Sequence, residues 1–107
     1  MRRVYRIDTN ITPEEDEIIT SQIDEVDRNN IDGIIDEIEV FDGLNDNGTI
    51  FNYFLCEEHH LEVVQRIADK FKVKVEINDI TEMFLNDVVD IDNKKFRDFK
   101  NEHLNRK

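Results

Sequence analysis

Three observations predict an α+β fold for this chain. Apolar residues alternate with polar ones in four short stretches, the period of a half-buried strand. They recur at helical spacing in two longer stretches lying between those strands. A third helical pattern, amphipathic and basic, closes the 107 residues.

The first strand is expected over Arg3 to Asp8, with Tyr5 and Ile7 on one face. Thr12-Pro13-Glu14-Glu15 then marks a helix start: Thr12 caps, Pro13 suits the first helical position, and Glu15 closes a capping box. Ile19, Ile23 and Val26, with Ile18 at the margin, keep helical spacing. This helix is expected to run to about Arg28, to break at Asn29-Asn30, and to turn at Gly33. Ile34 to Phe41 reads as a second strand, in which Ile34, Ile38 and Val40 share one parity and Glu37 and Glu39 the other. Asp42 to Gly48 reads as a loop ending in the hairpin signal Asn47-Gly48. Thr49 to Cys56 is a third strand, apolar on both faces and therefore central.

Glu58 to Phe71 is a second helix with Leu61, Val64, Ile67, Ala68 and Phe71 as its stripe. Lys72 to Asn78 is a fourth strand, with Val73, Val75 and Ile77 inward. Asp79 caps a short helix carrying Ile80, Met83 and Phe84, and a last helix from Asn93 presents Phe96 and Phe99. The order β-α-β-β-α-β is that of a ferredoxin-like split βαβ fold: a four-stranded antiparallel sheet with two covering helices, plus a C-terminal helical extension. Residues 1–92 are expected to form a single acidic α+β domain and residues 93–107 a basic amphipathic C-terminal helix. No repeat or interdomain linker interrupts the pattern.

The charge is uneven. The chain holds 26 acidic and 14 basic residues, a formal charge of −12. Residues 14–46 hold 13 acids against the single base Arg28, so this segment alone accounts for −12. The last fourteen residues carry six bases and two acids. The economical placement for that basic tail is against the acidic half, with Phe96 and Phe99 as its contacts.

These features exclude several function classes. No apolar run approaches the roughly 20 residues of a membrane span. No apolar stretch follows the basic start, so a cytoplasmic protein is expected. Like-charge repulsion disfavours direct nucleic-acid binding by the acidic half. Asn30-x-Asp32-Gly33-x-x-Asp36-x-x-Glu39 follows part of a calcium loop, but Arg28 occupies the place of the first ligand. A helix-to-strand turn is expected there instead. Cys56, His59 and His60 form half a zinc site with no second pair of ligands. As a nucleophile pair they are weaker than the plain reading of a buried thiol beside two solvated histidines. Ser21 sits amid acids, and the three glycines form no phosphate loop. No enzyme, metal or cofactor is expected.

The acidic segment is what remains to be explained. Lysines at i,i+4 would have relieved its self-repulsion, and they are absent. The sequence therefore points to a non-enzymatic interaction protein that binds a basic protein, such as a nucleic-acid-binding enzyme, as an inhibitor, an immunity protein or a nucleic-acid mimic. The expected contacts are Glu14, Glu17, Ile18, Asp24, Glu25, Glu37, Glu39 and Phe41, with Ile18 and Phe41 as apolar anchors. The alternative is a small-ligand or metal-binding regulatory domain, forming a homodimer through its sheet.

Overall fold

The structure, a computed structural model, describes residues 1–105. Arg106 and Lys107, which the sequence places in the last helix, lie outside them. Among the described residues four strands form one antiparallel sheet with helices on both faces, an α+β architecture. The strands are β1 (Arg3–Asp8), β2 (Glu39–Leu44), β3 (Ile50–Cys56) and β4 (Glu76–Asp79). The helices are α1 (Pro13–Gln22), α2 (Glu25–Ile35), α3 (Leu61–Lys70, entered through a 3-10 turn at Glu58–His60), α4 (Thr81–Leu85) and α5 (Lys94–Asn105). The sheet order is β2-β3-β1-β4. β3 is interior, as its two apolar faces require.

The capping box forms: Thr12 Oγ1 accepts from the Glu15 amide, and the Thr12 amide donates to Glu15 Oε1 at 3.0 Å. The helix it starts is shorter than expected. α1 ends at Gln22, Ile23 is extended, and a separate helix follows. The cause is Asp24, whose carboxylate accepts from the Asp27 amide at 2.9 Å and so acts as a new N-cap. Asn29, Asn30 and Gly33 lie inside α2 on its exposed side and do not terminate it. Val26, expected on the inner stripe, is exposed.

The second strand is displaced toward the C-terminus. Ile34 and Ile35 end α2, and the ladder runs from Glu39↔Leu55 to Leu44↔Ile50. The hairpin dictates this register. The Asn45 amide donates to Thr49 O, the Gly48 amide donates to Asn45 O, and Gly48 adopts φ +83°, which a glycine accepts without strain. Asp42 to Leu44 are therefore strand and not loop. β4 is likewise shorter than its alternating run. Lys72 turns left-handed to close α3, and β1 ends at Asp8, opposite Glu76, so Val73 to Val75 have no strand to pair with.

Each sheet face carries a core. On one, Val4, Tyr53 and Leu55 meet Ile80, Phe84, Ile91, Phe96 and Phe99, all buried. Phe84 and Phe96 pack edge to face with centroids 6.3 Å apart. The basic tail thus docks on the sheet and not on the acidic helices. Three of its cations pair within the C-terminal segment: Lys94 with Asp98, Arg97 with Asp92, and Lys100 with Asp87. On the other face Tyr5, Ile7, Ile38, Phe54 and Cys56 lie beneath Ile34 of α2 and Leu61 and Val64 of α3.

Candidate functional site

α1 is the least buried helix of the α1–α3 layer. None of its ten residues is buried, and Ile18 is 58% exposed beside Glu14 and Glu15, one helical turn before it. α2 is tied down at one buried charge. Asp27, 2% exposed, meets Lys70 Nζ at 2.9 Å and Arg66 Nε at 3.5 Å, both on α3. Lys70 also pairs with Asp24. The Asp27 amide and then Lys70 hold the Asp24 carboxyl below its ordinary range. Sequence reasoning missed this clamp, because Asp27 is one acid among 13. Its spacing to Ile31 and Ile34, i,i+4,i+7, was the available signal that it lies on the inner face.

Of the 13 acids between residues 14 and 46, three meet a basic side chain: Asp24 and Asp27 at Lys70, and Glu37 at His60. The other ten meet none among the described residues. Among the described residues the acidic surface is therefore open, and α5 packs on the other face of the sheet.

The residues expected to form the contact surface do not form one patch. Glu14, Glu17 and Ile18 share α1, and Asp24 and Glu25 begin α2, all of them exposed. Asp24 has its capping and pairing role. Glu37, between α2 and β2, receives a hydrogen bond from His60 Nε2 at 2.9 Å, while His60 Nδ1 accepts from the Glu57 amide. Glu39 and Phe41 lie on the opposite face of the sheet. There Phe41 stacks beside Tyr53, with ring centroids 6.5 Å apart. Phe51, directly across from Gly43, carries the Arg6 guanidinium 4.0 Å from its ring centroid. Arg6 is further held by Asp8, Asn45 and the Tyr53 hydroxyl, so this aromatic group is internally satisfied.

Between α1–α3 and the sheet lies a cavity of about 270 Å³. Ile19 of α1, Ile31 and Ile34 of α2, Val64 and Ile67 of α3, and Val40 and Phe54 of the sheet line it. Ile35 and Val40, both exposed, also border it, so it opens to solvent as an apolar groove and is not a sealed void. Among the described residues its only polar lining residues are Thr9, Asp16 and Asn52. The same three border a neighbouring depression that contains Asp42, so they mark the mouth. Among the described residues neither Asp16 nor Asp42 meets a cation. Partial burial, and secondarily the charge of Asp16, raise the Asp42 carboxyl above its ordinary value. With its amide turned to suit the surrounding acceptors, Asn52 donates to Asp42 Oδ1. No sequence pattern announced this cavity, because its walls come from α1, α2, α3, β2, β3 and the loops beside them.

The remaining motifs acquire structural explanations. Burial pushes the Cys56 thiol up to about 11, so it is protonated at neutral pH and unsuited to nucleophilic attack. His60 is buried and oriented by hydrogen bonds, in contrast to the expected solvated side chain, while His59 is exposed. Asn30, Asp32 and Gly33 are helical, so the calcium-loop spacing does not produce a loop. Among the described residues no group of three or more His, Cys, Asp or Glu side chains is placed to hold a metal ion, and no helix is long and apolar enough to cross a membrane. Comparison with family models, curated proteins and solved structures finds no match to this chain.

Proposed function

We propose that this protein binds a basic protein partner through the acidic helical layer, and that it is an interaction module and not an enzyme. One observation carries the reading: ten of the 13 acids in residues 14–46 have no basic partner among the described residues, and the basic tail packs elsewhere. An unrelieved acidic surface steers a cationic partner and makes its binding salt-sensitive. Ile18, exposed among Glu14, Glu15 and Glu17, supplies an apolar contact within it. Glu14, Glu17, Ile18 and Glu25 are the contacts retained in this reading, since Asp24 and Glu37 are engaged internally and Glu39 and Phe41 face the other way.

The test is a salt-gradient capture from lysate with the chain immobilised, run beside a variant carrying Glu14→Lys, Glu17→Lys and Glu25→Lys. These positions are exposed, and Glu15 is spared because it closes the capping box. One stoichiometric basic protein, eluting at a defined salt step and lost in the variant, supports the reading. Equal retention of many basic proteins by the chain and by any acidic control refutes it.

We also read residues 3–79 as a ferredoxin-like split βαβ module. In support, β2 and β1 are both antiparallel to β3 and so parallel to each other, with β3 between them. β3 and β4 flank β1 in the same way. Two interleaved βαβ units result. The alternative function, a small-ligand regulatory domain, has one observation of its own: the apolar cavity.

A further inference from the structure

We propose that the cavity between the helical layer and the sheet binds a primary ammonium on an aliphatic chain longer than a lysine stem, with the chain among Ile19, Ile31, Ile34 and Ile67 and the ammonium between Asp16 and Asp42. Asp16 and Asp42 belong to the acidic segment, but neither is among the contacts retained for the basic partner, so this site does not depend on that reading.

The lining selects the chain. It is aliphatic apart from Phe54 and, at the mouth, Thr9, Asp16 and Asn52. Its volume, about 270 Å³, approaches twice that of the roughly 150 Å³ apolar cavity that accepts benzene. A lysine side chain, with its four-carbon stem, would leave most of this space empty. A free alkylamine with a longer chain fills it.

The mouth selects the head group. Asp16 lines the polar end of the cavity and shares with Asp42 the depression that adjoins it, and neither carboxylate meets a cation among the described residues. A fatty acid would bring a third negative charge to this end. An alcohol would leave both charges unneutralised. An ammonium, with three donors and no acceptor, matches two carboxylates. Asn52, donating to Asp42, holds one of them in position.

The experiment is a methyl-detected NMR titration of the full chain at pH 7 with n-octylamine, n-butylamine, 1-octanol and octanoate. Octylamine is expected to shift the Ile19, Ile31, Ile34 and Ile67 methyls saturably. It should bind at least tenfold more tightly than octanol or butylamine, with no saturable binding of octanoate. The double variant Asp16→Asn, Asp42→Asn should bring octylamine down to the octanol affinity without changing octanol binding. Ile19→Trp, which fills the cavity from the most exposed helix of the layer, should abolish both. Equal affinity for octylamine and octanoate, equal affinity for octylamine and butylamine, or shifts confined to methyls outside the cavity would each overturn the proposal. A salt-dependent protein partner found by capture would leave the result of this titration unchanged.

Discussion

The two faces of the sheet are packed by different means. The α4–α5 face is closed by Phe84, Phe96, Phe99 and Ile91, none more than 3% exposed. The α1–α3 face is covered by β-branched aliphatic residues, and it keeps a cavity and one helix without a buried residue. Aromatic side chains bury large areas from few positions, and three of the seven phenylalanines lie in α4 and α5. Residues 14–35 contain no aromatic residue and spend many positions on acids. The basic tail is thus the packing half of the molecule, and the acidic half is the accessible one.

The contrast is sharpest at Phe96. Phe96→Ala should cost about 3–5 kcal/mol in urea unfolding. Ile18→Ser on α1 should cost no more than about 0.5 kcal/mol. Similar losses at the two sites would erase the distinction between the faces. The next largest effect belongs to the link that does secure the acidic layer. Asp27→Asn keeps the shape but removes the buried charge facing Lys70 and Arg66, and should cost about 1–3 kcal/mol. Amide exchange should rise first in α2 and leave α5 protected.

The smallest effect concerns pH. Asp42 has its carboxyl raised in the folded state, so folding favours its protonated form. Its contribution is fully favourable below the unfolded carboxyl value and is lost as pH rises through the folded value. Asp42 is exposed, so solvent screens the effect: Asp42→Asn should gain only ~0.2 kcal/mol at pH 7 and nothing near pH 3. Thermal midpoints of the two chains at both pH values measure this. A gain that persists at low pH would assign the effect to something other than charge.

Much of this architecture was legible in the sequence, and the failures share a cause. Thr12 to Glu15, the interior β3 and the buried Phe96 and Phe99 are set by short-range chemistry or by unambiguous apolar patterns. The second helix was missed because Ile34 and Ile38 fit strand parity and helical spacing equally well, and because Asn29-Asn30 looked like a stop. Asp24 two residues after Gln22, with an acid three positions on at Asp27, was the readable start signal. The placement of the tail was misjudged by weighing net charge above the burial of two phenylalanines. Among the expected contacts, Asp24 and Glu37 could not be told from free surface acids, since their partners Lys70 and His60 are distant in sequence. The cavity and its paired carboxylates exist only once the helices and β2 are assembled.

The interior position of β1 has a consequence for how the chain is made. Residues 3–8 are translated well before residues 51–56 and 76–79, with which they pair. At ~5–20 residues per second, that strand waits roughly 4–14 s for its last partner. During the wait Val4, Tyr5 and Ile7 are unpaired on a nascent chain, the condition in which strands of neighbouring chains associate. The run of 13 acids leaves the ribosome soon after them. Neighbouring nascent chains then repel one another for as long as the strand is exposed. On the nascent chain the charge of the acidic segment thus opposes association through the strand that precedes it.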